Sequence, residues 1–274
     1  MLKITRYGPV LRFDLSRSFA GRGRYWTAAY LVDGMLVDSG CAHTASEVER
    51  VTQKENLTRI VNTHSHEDHI GANGILQRRV HGLEILAHPA ALPVLADPRR
   101  TQPLQPYRRM FWGWPEPSVG SPLLDQEIIQ TERYRFRVIY TPGHSPDHIC
   151  LYEQDQGWLF TGDLYVGGRD RGLRPDFDIW QIIASLKKIA GLPATMLFPG
   201  SARVRSHPDE ALKSKIAYLE DLGQRVLELH HRGWEAGAIA RALCGGPMFI
   251  ELLTLGHFSR RNLALSFIRN YEGK

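Results

Sequence analysis

The chain has 274 residues, 43% hydrophobic and 23% charged, an ordinary balance for one sizeable domain with an appendage and a buried core. No apolar run approaches the ~20 residues that a bilayer-crossing helix needs, and the alternating N-terminus lacks the apolar stretch of a signal peptide. A formal charge of +5 suits either a nucleic-acid binder or an enzyme for anionic small molecules, but the arginines are scattered (Arg99, Arg100, Arg108, Arg109, Arg169, Arg171, Arg174, Arg203, Arg205) and read mainly as solvated surface.

In chain order, the first forty residues read as strands. Within them YWTAAYLVDGMLVDSG sets two apolar runs around Asp33-Gly34, a strong hairpin turn. ASEVERVTQKEN has helical spacing, with Thr44 or Ser46 as a cap. LTRIVNTH is a short β-branched strand that runs into a histidine cluster, HIGANGILQRR opens a helix, and LEILAHP is a further strand ended by Pro89. Residues 97–122 carry repeated prolines, aromatics and arginines with little periodicity, and are expected to form an irregular or partly helical excursion of the kind that serves as a lid or binding loop. From residue 127, EIIQ, YRFRVIYT, HICLYEQ and GWLFTGD are successive strands; FDIWQIIASLKKIAGL is an amphipathic helix and TMLFPG a last buried strand. Beyond Pro208 the pattern becomes helical: a long helix through DEALKSKIAYLEDLGQRVLELHHRG, a shorter one in WEAGAIARALCGG and a third in SRRNLALSFIRNY. Two regions are therefore expected, an α/β body at 1–207 and a helical region at 208–274.

Cys41, Cys150 and Cys244 are odd in number, far apart and without a CxxC pair. They argue against a disulfide framework or thiolate zinc site and lead to an expected cytoplasmic location. The chemistry is carried instead by THSHEDH, where three histidines and two acids lie on the turn that ends a strand. His64 and His66, two apart, can hold one ion, and Asp68 and His69 can face a second; neutral imidazole suits zinc or iron and carboxylate adds a harder oxygen. A polar surface loop is the plainer reading, but the pattern is long and directly follows a strand. YTPGHSPDH presents His144 behind a Pro-Gly turn, and LFTGDL presents Asp163 after another strand.

Taken in order, His64-x-His66-x-Asp68-His69, Thr141-Pro142-Gly143-His144 and Thr161-Gly162-Asp163 resemble the metallo-β-lactamase-fold metallohydrolase superfamily, and the helical tail resembles that of its glyoxalase II-like members, without their glutathione-binding pattern. The resemblance covers about residues 1–206 and implies an α/β fold, a four-layer αββα sandwich, here with a C-terminal helical extension. It implies a first metal on His64, His66 and His144, and a second on Asp68 and His69 with Asp163 bridging. Where the family pattern has a further histidine after a last Pro-Gly turn, this chain has Ser201; His207 and His257 are the remaining histidines that could reach in, though each is better read as a surface histidine.

The implied function is metal-dependent hydrolysis of an ester, thioester, lactone or phosphoester, anionic in character, with one or two transition-metal ions: zinc first, iron or manganese as alternatives. Asp68 is the expected catalytic residue, orienting a metal-activated water and accepting its proton. Tyr107, Phe111, Trp112 and Trp114 are either a pocket wall for that substrate or core aromatics, and Cys41 reads as a small buried residue. The rivals are an iron-dependent oxygenase or oxidoreductase on the same ligands, a nuclease favoured by the basic charge, and a catalytically weakened regulatory binding protein, to which only Ser201 points. The expected partner is a small molecule, with no membrane and no nucleic acid; the oligomeric state is left open.

Overall fold

The computed structural model describes residues 1–246 and 248–272, so the last two positions of the helical region and Pro247 lie outside the described residues. The first half builds a sheet from β1 (Leu2–Tyr7), β2 (Val10–Leu15), β5 (Thr27–Val32), β6 (Met35–Val37), β7 (Arg59–Val61), β8 (Glu84–Ala87) and β9 (Ser121–Pro122), in that spatial order. A small hairpin of β3 (Ser18–Phe19) and β4 (Arg22–Gly23) stands apart from it. The second sheet runs β10 (Ile128–Gln130), β11 (Arg135–Tyr140), β12 (Ile149–Glu153), β13 (Trp158–Gly162), β14 (Met196–Pro199), β15 (Arg205–Ser206).

Strand alternation decides how the layers stack. Successive side chains point to opposite faces of a sheet, so Ala28, Tyr30 and Val32 of β5 enter one core while Ala29 and Leu31 enter another. Likewise Ile149 and Leu151 of β12 face the first sheet, whereas Cys150 and Tyr152 face the other way. The inner core between the sheets includes Phe136, Phe160 and Phe198, the last two stacked at 4.8 Å. Outside the first sheet, Val48 of α1 (Ala45–Thr52) and Leu76 of α2 (Asn73–Arg79) close a second core. With the helices outside the second sheet, these make the four layers that the resemblance implies.

After α3 (Leu92–Ala96), the 97–122 excursion is partly helical, as expected, with α4 (Pro98–Thr101) and α5 (Pro106–Phe111); all three helices carry proline in the first turn, where its missing N–H costs nothing. Outside the second sheet lie α6 (Ile179–Ala190), α7 (Asp209–His231), α8 (Ala236–Cys244), α9 (Phe249–Leu253) and α10 (Arg260–Glu272). The short α9 is not among the expected helices; its five residues, FIELL, are apolar at four positions and span barely more than one turn, too few to show a helical period. The tail helices share one continuous core with α6 and the second sheet, where Leu219, Ile239 and Phe267 meet Ile179, Leu186 and Leu197. No helix among the described residues is long and apolar enough to cross a membrane.

Candidate metal centre

Parallel pairing of β6 with β7 brings two strand ends side by side. Just past them, Asp38 gathers the histidine loop: it accepts hydrogen bonds from the Thr63 N–H (2.7 Å) and hydroxyl (2.8 Å), and its other contact is His69 Nδ1 at 2.8 Å. The Ser65 N–H donates to the Asp147 carboxylate at 2.8 Å, fastening the loop to the second sheet. From that sheet His144 arrives behind Pro142-Gly143, with the Ser185 hydroxyl donating to the Pro142 carbonyl at 2.8 Å. Asp163 follows a register irregularity in β13 that leaves Gly162 at φ +45, where an added Cβ would stand 2.6 Å from Thr63 Oγ1 and 2.8 Å from His148 Nε2. Only glycine fits both the backbone and the space.

All six predicted residues come together at one edge of the sandwich. His66 Nδ1 lies 2.9 Å from His64 Nε2 and 2.9 Å from His144 Nε2. Ligand atoms of His64, His66 and His144 lie within 4.8 Å of one another, as do those of His64, His69 and Asp163. Asp68 falls outside both groups, 3.8 Å from His69 Nε2, while Asp163 is 3.6 Å from the same nitrogen. Ser201 is in contact but not as a ligand: its hydroxyl donates to Asp163 Oδ1 at 2.9 Å. Neither remaining histidine joins the cluster. His207 is exposed, and the Tyr107 hydroxyl pairs with His257 Nδ1 at 2.8 Å.

Burial, reinforced by neighbouring rings, holds His64 well below its ordinary pKa; burial and Arg174 do so for His66, and burial for His144. All three imidazoles are therefore neutral, the ligand form. Burial also lowers His69, but Asp38, Asp163 and Asp68 outweigh it and raise the group well above its usual value. Burial pushes Asp68 up to about 6, whereas His69 holds Asp163 below the carboxylate range in spite of burial. The donors fit a transition metal. Nε2 of His69 is buried with no hydrogen-bond partner among the described residues, and a Cβ on Gly200 would stand 2.7 Å from Asp163 Oδ1 and 2.8 Å from His69 Cε1, so the backbone leaves that cradle open.

Several residues that serve this centre were not singled out by the sequence reading. Asp38 sits in VDSG, an acid at a strand end before glycine, the same signal that marked Asp163. His148, in PDH, is wholly buried with its Nδ1 at 2.9 Å from the Thr141 hydroxyl and its ring 5.2 Å from His64; burial pushes it down to about 4. Glu67 and Arg108 form a buried bidentate ion pair, one contact at 2.7 Å, that joins the histidine loop to α5. No local signal pairs two residues so far apart in the chain. Arg108 and Arg174 are thus buried, whereas Arg99, Arg109, Arg169 and Arg171 are exposed as the surface reading expects.

The centre forms the floor of a cavity of about 1460 Å³ onto which Asp68, His144 and Asp163 open. Tyr107, Phe111 and Trp112 of the excursion line it, as do Phe177 and residues of the tail such as Met248 and Phe258. Trp114 is not part of this wall and instead packs under the Arg99 guanidinium at 5.8 Å.

With that geometry in place, residues 26–201 match the family model described as the metallo-beta-lactamase superfamily. The chain belongs to the metallo-beta-lactamase superfamily. Membership agrees with the αββα layers. A metallo-beta-lactamase family protein of Thermus thermophilus superimposes with a TM-score of 0.68 at 20% identity, covering 97% of this chain and 94% of that one, a likeness of fold. A chain solved in a di-iron-bound form is 27% identical with a TM-score of 0.55, covering 73% of this superfamily member and 96% of its own length. Among curated proteins, an atrochrysone carboxyl ACP thioesterase of Aspergillus fumigatus is 25% identical over 197 residues, 70% of this chain and 55% of its own. This metallo-β-lactamase-fold chain spans about half the length of the first curated relatives it matches.

Proposed function

We propose that the protein is a metal-dependent hydrolase of an ester or thioester, with a thioester as the first substrate to test. The observation that carries this reading is the convergence of His64, His66 and His144 nitrogens on the floor of a cavity large enough for a drug-sized acyl group. The thioesterase relative supports the choice of bond. In this reading His64, His66 and His144 hold a first ion, while His69 and Asp163, with Asp68 beside them, hold a second. A bound ion supplies a Lewis acid that polarises the carbonyl oxygen and makes water a nucleophile near neutral pH. Asp68, its carboxyl raised to about 6 by burial, is suited to take the proton of the attacking water and pass it on. Asp38 keeps the His69 Nδ1 side engaged, so that Nε2 is the atom turned to the site. Tyr107, Phe111 and Trp112 shield the acyl group from bulk water.

The test is elemental analysis of protein purified without chelator or metal-binding tag, followed by assays on thioesters, esters, lactones and phosphoesters. His66→Ala and His144→Ala are each expected to remove most bound metal while leaving the far-UV circular dichroism unchanged. Full metal content in either variant would sink the first site. Iron chemistry is a second reading, favoured by the di-iron-bound neighbour. Iron in place of zinc, with oxygen uptake and no hydrolysis, would select it.

A further inference from the structure

Four arginine and lysine side chains are buried among the described residues: Arg12, Arg108, Arg174 and Lys215. Three have an obvious reason to tolerate burial. Arg12 pairs with Asp14 at 2.6 Å, Arg108 with Glu67, and Lys215 with Asp170 at 2.7 Å. Arg174 is the exception. It is 8% exposed, and among the described residues it donates no hydrogen bond, pairs with no carboxylate, and leaves its buried Nη1 without a partner. No hydrogen bond among the described residues offsets the desolvation of Nη1, although the Glu67 and Asp68 carboxylates attract the charge from a distance.

Its position is also held. Leu173 and Ser259 exchange backbone hydrogen bonds of 3.1 and 3.0 Å, so the loop before α6 is bridged to the start of α10. Arg174 then lines the cavity with its guanidinium 5.6 Å from the Phe177 ring centre. That ring is in turn 4.3 Å from His144 and stacks 6.0 Å from His66. The free cation therefore stands about one aromatic ring from the candidate metal ligands, on the wall that a substrate must pass.

We propose that Arg174 is a specificity-determining anion receptor: it takes a carboxylate or phosphate group on the substrate, beside the bond to be cleaved. The proposal rests on the hydrolase reading for the word substrate, but the receptor itself does not. A planar guanidinium presents a fork of donors that matches either oxyanion with two parallel hydrogen bonds, which supplies the acceptors that the folded chain does not. The arrangement is a stored cost that the correct ligand relieves and a neutral ligand does not. The favoured substrate is thus an acyl ester or thioester with a second, anionic end, its apolar span lying along Tyr107, Phe111 and Phe177.

Two probes separate the sources of that charge, glutarate for a carboxylate and inorganic phosphate for a phosphate. Each is titrated by calorimetry into the protein as purified and into Arg174→Met and Arg174→Lys, all with matched metal content. At least one probe is expected to bind the wild type, to bind Arg174→Met tenfold or more weakly, and to recover in part with lysine; the stronger probe names the anion. The melting temperature of Arg174→Met should be equal or higher, since a buried unpaired charge has been removed. An Arg174→Met variant that binds both probes as the wild type does, a wild type that binds neither, or a lowered melting temperature would overturn the proposal. Turnover is read separately, with glutaryl against valeryl thioesters of one thiol: a preference for glutaryl that Arg174→Met abolishes supports it, and equal turnover of the two by the wild type counts against it. Anion binding that depends on Arg174 in a protein that hydrolyses neither thioester would retire the hydrolase reading and leave the receptor standing.

Discussion

Ser201 is the position where one side chain differs most visibly from the family pattern, and the structure gives it a different task. Its hydroxyl steadies Asp163 Oδ1, next to the His69 nitrogen that has no partner among the described residues. An imidazole is a far better ligand than a hydroxyl for zinc or iron. Ser201→His is therefore expected to tighten binding of a second ion about tenfold or more, read by metal titration; no gain would mean that another ligand already completes that site. Cys150 makes a separate prediction. Burial pushes its thiol up to about 12 from an ordinary value of 9.0, with the Thr141 hydroxyl 3.3 Å away. The unfolded chain releases this proton first, so the stability that the raised value represents is present below pH 9.0 and is lost as pH climbs toward 12. The loss is on the order of 4 kcal/mol across that window. Denaturant titrations should show Cys150→Ala with a shallower alkaline decline than the wild type; parallel curves would refute the assignment.

At the scale of elements, the histidine loop is rigid because it is fastened on three sides. Asp38 holds it from the first sheet, Asp147 from the second, and Arg108 of α5 reaches Glu67 from the excursion. Glu67→Ala would leave the Arg108 guanidinium buried without its carboxylate, with only the longer Gln105 contact, at a cost of about 3–5 kcal/mol. Weaker metal binding should accompany the loss of stability, because Glu67 lies between His66 and Asp68. Equilibrium unfolding and metal titration of Glu67→Ala check both; a variant as stable as the wild type would mean that the pair contributes nothing net. Most elements were legible from alternation and helical spacing, as with β12, whose inward Ile149 and Leu151 alternate with Cys150 and Tyr152. The excursion was legible as irregular or partly helical but not in its placement, because what anchors it is a buried ion pair and a Tyr107–His257 hydrogen bond spanning 150 residues.

Across the whole molecule, the tail is part of the architecture of the second sheet. Ile179 donates its N–H to the Ser266 hydroxyl at 2.9 Å, the Trp180 indole donates to the Phe267 carbonyl at 3.0 Å, and Phe267 is wholly buried. Each such apolar side chain is worth about 1.5–3 kcal/mol when fully buried, and Leu212, Leu219, Leu222, Ile239 and Leu263 add to the same face. We propose that the boundary near residue 207 marks a change of secondary structure between regions that need each other to fold. A chain ended at residue 207 should therefore lose cooperative unfolding and bind an apolar dye; a soluble, cooperatively melting fragment would show two independent domains.

By itself the sequence determined the local chemistry. Alternation set the strands, proline and glycine set their ends, and the histidine and aspartate motifs at those ends picked out six candidate residues that the fold brings together, because each signal depends only on residues near one another in the chain. Only the tertiary structure decided which buried charges are paired. Arg108 and Arg174 look alike as letters, yet one meets Glu67 across 41 residues and the other meets no acceptor among the described residues. Burial and pairing are set by how layers stack, and no local pattern records which distant carboxylate will be within reach of which guanidinium.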